Sequence, residues 1–456
     1  MKKELLFSAF SALTLLLSSS HAAAPDATTA DLRSRVKTGD LSVVTVALEA
    51  GGDLLVQPDV KDAKPVKMSG VAELKYQEKF LATPATSAGL LRAARYYTQT
   101  TATVKVGEKS FQPVLRDQRR FIGASLEDNV QLFSPEGPLT REELDLIEIP
   151  SSSLLVERLL PEKRVAIGDT WKHGNELMRA FLELDTVSKS DVTSALHSVV
   201  QGLARMQMSG RVEGKISGAD VVVEVKGKYQ FDPEAGRVNW VGLLIRENRR
   251  PGEVAAGTDY VGRIQMQIAP LAKSEHFTDT AMKSLLLDPN PEILKLNHPS
   301  ADGLWQLTHS RQWFVTTDKR DLTILKLLDK GNRLVQCNAS SLPKAEGGRL
   351  VTLTQFQDDV KHALGDNFGE FVEAAEGACP AGYKLYRVVV RNTVSELPIQ
   401  WHYYFLADKA GHQAVLAFTI QGDMVPKLDN ADRSLVNSLR FSDSTVASKP
   451  AAAKKK

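Results

Sequence analysis

Cysteine is nearly absent: among 456 residues there are two, Cys337 and Cys379. That leaves room for one intrachain disulfide at most. Long apolar runs are as rare. One stretch, Leu5 to Leu17, follows Lys2 and Lys3 and precedes the small residues Ala22 to Ala24. Its length of about 13 residues falls short of the ~20 that span a bilayer. The three-part pattern is that of a secretory signal peptide, residues 1–22, cut after Ala22. No other run is long and apolar enough to span, so the mature chain is expected to carry no integral membrane segment and to work in the periplasm or outside the cell.

Charge of one sign is lacking too. The full chain carries a formal +2. Removing Lys2, Lys3 and Glu4 leaves +1, and four of the remaining lysines, Lys449 and Lys454 to Lys456, sit in the tail SKPAAAKKK. The body is slightly acidic, which argues against a nucleic-acid-binding surface. The tail, 444–456, is expected to be disordered.

What is present is strand grammar. About 430 mature residues exceed the capacity of one core. A β-rich antiparallel region is expected over 25–268, with sub-units 41–135 and 183–268 joined by short helices in 139–182. LSVVTVALEAGGDLLVQ reads as strand, Gly-Gly-Asp turn, strand. Thr140 and Glu143 form a capping box opening the helix REELDLI, SSSLLVERLL reads as a second helix closed by Pro161, and Trp171 anchors the connection on a sheet. Met68-Ser69-Gly70 recurs as Met208-Ser209-Gly210, a hint of a duplicated half-barrel. Residues 269–304 concentrate Pro, Asn, Asp and Gly and read as a linker. From 305 to 443 the order is hairpin, helix opened by Thr354 and Gln357, three antiparallel strands and a closing helix, an α+β arrangement.

Chemical signatures are missing. There is no G-x-S-x-G elbow, Walker loop or dinucleotide fingerprint, and no close histidine spacing for zinc; no cofactor is expected. His402 and His412 flank a turn on adjacent strands, and Trp401, Tyr403 and Phe405 alternate with His402 and Tyr404. Core packing is the plain reading of that stripe. Trp401, Tyr403, His402 and His412 are the residues an aromatic ligand platform would use. The acidic run Glu142, Glu143, Asp145, Glu148 reads as a solvated helix face. In an exporting context Cys337 and Cys379 are expected to pair, with about 4 kcal/mol of stabilisation in the chain-entropy model.

The strands YKLYRVVVR and IQWHYYFLADKAGHQAVLAFTI, followed by DNADRSLVNSLRF, resemble the PsbP-like family, named for the extrinsic protein of photosystem II. The resemblance implies an α/β/α sandwich over the last third and brings no functional residue with it. The N-terminal two thirds resembles uncharacterised exported bacterial β-rich domains and, more distantly, the half-barrels of lipoprotein carriers. The expectation is therefore an α+β protein: a curved antiparallel sheet followed by a PsbP-like sandwich. Its expected function is non-catalytic binding of a cell-envelope protein or other ligand. Two alternatives stand beside it, a carrier of lipid or another apolar molecule in a sheet cavity, and a hydrolase using His402 or His173.

Overall fold

The computed structural model describes residues 29–55, 64–82, 90–329, 331–345 and 349–442. The expected signal peptide and lysine-rich tail lie outside these.

The N-terminal region is built on β1 (Leu41–Leu55), β2 (Val66–Phe80), β3 (Leu91–Val106), β4 (Phe121–Leu126) and β5 (Val130–Phe133). After α1 (Arg141–Ile147) and α2 (Asn175–Phe181) come β6 (Thr193–Val200), β7 (Leu203–Ile216), β8 (Ala219–Asp232), β9 (Arg237–Arg249) and β10 (Gly257–Pro270). All join one 13-stranded antiparallel sheet in the order β5-β4-β3-β2-β1-β10-β9-β8-β7-β6, with Thr170–Lys172 at the far edge and two short strands on β3 and β7. The chain runs outward from β1 to one edge, crosses, and returns from the other edge to β10. The seam is the β1–β10 ladder, from Leu55↔Gly257 to Ser42↔Pro270.

Period-two burial sets which face turns inward. Val44, Val46, Leu74, Tyr76, Met206, Met208, Val221, Val223, Val225, Ile264 and Met266 are all buried in one cluster, while their sequence neighbours are mostly exposed. Ten strands laid flat would extend over about 45 Å at roughly 4.8 Å each. Yet the single segment 151–160 touches both arms. Ser153 Oγ lies 3.1 Å from Tyr76 Oη, and the Leu159 carbonyl accepts from Tyr229 Oη at 3.1 Å and Trp171 Nε1 at 2.8 Å. The sheet is therefore wrapped around this segment. Its two edges approach through α2, whose Arg179 donates to Asn129 Oδ1 at 2.7 Å and to the Asp128 carbonyl on the β4–β5 turn.

The C-terminal region holds β11 (Trp313–Lys319), β12 (Leu322–Asp329), β13 (Asn332–Leu342), α3 (Leu353–Leu364), β14 (Glu370–Ala378), β15 (Lys384–Val394), β16 (Leu397–Ala407), β17 (Gln413–Gln421) and α4 (Ala431–Ser438). Its seven-stranded sheet has the order β11-β12-β13-β17-β16-β15-β14. Phe356, Val360 and Leu364 of α3 pack on Tyr386, Val388 and Phe405. Leu435 and Val436 of α4 pack on the other face with Leu406, Leu416 and Phe418. The two regions meet where Asn297 N–H donates to the Leu139 carbonyl at 2.8 Å, Lys326 donates to the Glu253 carbonyl at 2.8 Å, and Arg311 reaches the Leu132 carbonyl.

Several expectations are corrected. The α+β class gives way to a mainly β molecule, with strand at 54% and helix at 14%. The physical reason is strand length: β1–β3 and β7–β10 run 13 to 16 residues and merge into one sheet, whereas the longest helix among the described residues has 12. SSSLLVERLL forms only the 3-10 turn Val156–Leu159. Gly51-Gly52-Asp53 is no turn; β1 runs straight through it, and Gly52 is required because a Cβ there would lie 2.2 Å from the Asp259 carbonyl oxygen and 2.5 Å from Tyr260 Cα. The cap of α3 is Thr352 with Gln355, two residues before the expected pair, while the Thr140–Glu143 box is present as read. The repeated Met-Ser-Gly does not mark equivalent units: Met68–Gly70 lies one strand from the seam and Met208–Gly210 three strands from it, and Gly210 alone has a positive φ.

Candidate ligand-binding groove

On the inner face of β1–β3 the side chains change size along the strands. Near the core the positions carry Val44, Val46, Leu74, Tyr76 and Tyr97, all buried. Farther out the register aligns Leu48 with Ala72 and Ala102, then Ala50 with Gly70 and Val104. Small side chains on three adjacent strands leave a hollow where the sheet would otherwise fill itself. The roof is Leu146, Ile149 and Pro150 from the end of α1 and the segment Phe111–Gln112–Pro113, enclosing about 520 Å³. A second hollow of about 410 Å³ adjoins it, sharing Leu48, Ala72, Ala102 and Pro113. Apolar surface at the mouth is left in water: Phe111 is 49% and Val114 66% exposed. Such a groove is a binding-site candidate on shape and chemistry.

Two polar devices hold it. Under the segment 151–153, buried Arg95 donates to Glu78 Oε2 at 2.8 Å, Ser152 Oγ at 2.9 Å and Ser153 Oγ at 3.0 Å, and lies 4.9 Å over the Tyr76 ring. On α1, Glu143 closes the capping box and takes a fork from Arg116, Nε to Oε1 at 2.5 Å and Nη2 to Oε2 at 2.6 Å. Burial would raise the Glu143 carboxyl, but the Arg116 fork and two backbone N–H groups outweigh it, and the group lies below its ordinary range. Glu143 is thus a buried strut and not part of a solvated face, whereas Glu142 and Asp145 are exposed along the groove. Glu148 is half-buried beside them. Burial raises its carboxyl, against the pull of Arg311 at 4.0 Å.

The residues picked out by sequence lie elsewhere and apart. Trp401 and Tyr403 face α3, while His402 faces α4, so no single platform includes them. His402 is buried, its Nδ1 2.8 Å from Asp432 Oδ2, the same oxygen that accepts from Tyr404 Oη at 2.7 Å. Arg387 Nε donates to that tyrosine oxygen at 2.9 Å. His412 pairs with Asp408 Oδ2 at 2.7 Å in the turn. Because Gln413 pairs with Ala407 and Phe418 with His402, the two histidines stand about 20 Å apart at roughly 3.4 Å per residue, and their rings do not approach. His173 is buried with Nε2 2.7 Å from Ser194 Oγ, and burial pushes its pKa down to about 4. Among the described residues no three His, Cys, Asp or Glu side chains form a metal-binding group, and no helix is long and apolar enough to cross a membrane.

The expected disulfide is overturned. Cys337 and Cys379 are free and buried. Cys337 lies on β13 and Cys379 directly after β14, four strand steps away in the sheet. That is about 19 Å at roughly 4.8 Å per step, against the ~7 Å limit between bonded Cα atoms. Burial, with Asp432 nearby, pushes the Cys337 thiol well up and keeps it protonated.

No family model and no curated protein matches this sequence. Solved structures give low-similarity neighbours. A Bacteroides thetaiotaomicron VPI-5482 protein aligns at 11% identity over 32% of this chain, with a TM-score of 0.24; the chain spans about half of it, 48%. The cyanobacterial PsbP of Synechocystis sp. PCC 6803 aligns at 13% identity over 32% of this chain and 92% of its own, TM-score 0.26. The COG4313 outer membrane channel of Pseudomonas putida F1 aligns at 6% identity over 85% and 97%, TM-score 0.17. At these scores the neighbours assign neither a fold family nor a function.

Proposed function

We propose that this protein is an exported, non-catalytic binder of an apolar, chain-like molecule, held in the groove over β1–β3. The observation that carries the reading is the triple of Leu48, Ala72 and Ala102 in register, which leaves the sheet hollow at a place roofed by apolar residues. Each methylene taken from water would contribute about 0.8 kcal/mol. The signal-peptide pattern at the N-terminus supports work outside the cytoplasm, where a carrier of such a molecule would shield it from water.

The test is binding of a dansyl-labelled medium-chain fatty acid to protein purified without detergent, followed by fluorescence. The wild type should enhance and blue-shift the emission saturably. Ala102→Trp, which places an indole in the hollow, should lower the affinity at least tenfold with an unchanged melting temperature. Saturable binding that Ala102→Trp leaves intact would remove the groove from the reading, and no binding of any chain-bearing probe would remove the function.

A further inference from the structure

Against α1, a further void of about 630 Å³ lies between the N-terminal sheet and the C-terminal region. Glu142 and Asp145 line both voids, so one helix face is the common wall of an apolar groove and a polar cleft. The cleft is furnished differently. Arg141 lies with its guanidinium 5.6 Å over the Phe314 ring and 3.7 Å from Asp145. Arg249 comes from the end of β9; its buried Nε makes no hydrogen bond and lies 3.7 Å from the buried Glu247 carboxylate. Across from them stand His309 and Asp318.

His309 points to a ligand. It is 4% exposed, and its Nδ1 lies 2.8 Å from the Ser310 carbonyl, an oxygen that can only accept. Nδ1 therefore carries the proton. Burial pushes the ring's pKa down to about 4, with Arg141 and His298 adding to the shift, so the imidazole is neutral and Nε2 is a bare acceptor. No hydrogen bond to Nε2 is made among the described residues. The cleft thus offers an unpaired acceptor beside two carboxylates for a cationic donor, Asp145 next to Arg141 and Asp318 accepting from Thr323 Oγ1 at 2.9 Å with His298 Nε2 at 3.6 Å, and two guanidinium groups for an anion.

Resting on the groove reading above, we infer that the occupant is a zwitterionic phospholipid of the phosphoethanolamine type, its acyl chain in the groove and its headgroup over Glu142 and Asp145 in the cleft. The phosphate faces Arg141 and Arg249. The ammonium faces Asp145, Asp318 and His309 Nε2.

Calorimetry on the full chain, cleared of bound lipid, tests this with dihexanoylphosphatidylethanolamine, dihexanoylphosphatidylglycerol and free phosphoethanolamine. The ethanolamine lipid should bind about tenfold more tightly than the glycerol lipid, and Asp145→Asn, an exposed position, should erase that preference. Arg249→Gln should weaken both lipids about tenfold, and Ala102→Trp should abolish both. Equal binding of the two lipids, or a preference that survives Asp145→Asn, would overturn the headgroup assignment while leaving the groove intact. Free phosphoethanolamine binding as tightly as the lipid would overturn the amphiphile. If neither lipid binds while the dansyl fatty acid still does, the phospholipid assignment fails and the groove stands; if none of the three binds, the groove reading fails with it.

Discussion

Replacing Glu78 with Ala should be among the most damaging single changes in the N-terminal sheet. Glu78 and Arg95 have side chains 0% and 3% exposed and meet at 2.8 Å. Arg95 also donates to Ser152 and Ser153, and Ser153 Oγ donates in turn to Glu78 Oε2 at 2.8 Å. Removing the carboxylate leaves a guanidinium without its counter-ion between two strands and the segment that roofs them. Breaking a buried pair from one side costs about 3–5 kcal/mol, because the remaining charge is desolvated and uncompensated. The double replacement Glu78→Leu with Arg95→Met removes both charges, and should recover most of that loss, to within about 2 kcal/mol of the wild type. Hydrogen exchange read by mass spectrometry on peptides from β2 and β3 measures the local opening free energy without assuming that the whole chain unfolds in one step. A loss under about 1 kcal/mol for Glu78→Ala, or a double variant worse than the single, would refute the argument that this pair fastens the roof to the sheet.

Acid should destabilise the fold in a defined window. His173 and His309 are both held near pKa 4 by burial, against about 6.5 in an unfolded chain. Above pH ~6.5 neither state is protonated and stability is full; between 6.5 and 4 only the unfolded chain takes the protons, so stability falls as pH drops, by about 3 kcal/mol per ring, and levels off below 4. Thermal melts from pH 7.5 to 4 should show this slope, and His173→Gln should reduce it; a flat profile would contradict the buried neutral rings. Phe111→Ser should weaken the dansyl fatty acid severalfold and leave the melting temperature within a degree or two, since the ring is half exposed; unchanged affinity would take Phe111 out of the mouth of the groove. Ellman's reagent should find no reactive thiol in the native protein and two per chain in denaturant, and reductant should not change the melting temperature; a reductant-sensitive melt would restore the disulfide.

Much of the strand content was legible because period-two burial is written in the side chains. Val221, Val223 and Val225 alternate on β8, and Ile264, Met266 and Ile268 on β10. The capping box of α1 was legible for the same local reason, Thr140 and Glu143 being three residues apart. The groove was not legible. Leu48, Ala72 and Ala102 lie 24 and 30 residues apart, and only the ladders of β1 with β2 and β2 with β3 put them in one row. Gly51 and Gly52 misled because glycine is ordinarily turn punctuation; here Gly52 clears space for the backbone and side chain of Tyr260 on a strand about 200 residues downstream. The aromatic stripe at 401–405 attracted attention for its composition, but alternation itself sends Trp401 and His402 to opposite faces.

The pairing of β1 with β10 sets an order of events. Every rung of that ladder joins residues more than two hundred positions apart, so its closure is a slow, long-range step. The hairpins β1–β2 and β2–β3 can form while the chain is still arriving, and until residue 270 has emerged the outer rim of β1 is an unsatisfied row of amides, open to the wrong strand. The last piece to be set in place is the one that lays Tyr260 across Gly52. A chain stopped short of β10 would have a floor without its far wall and would be open to aggregation through that rim.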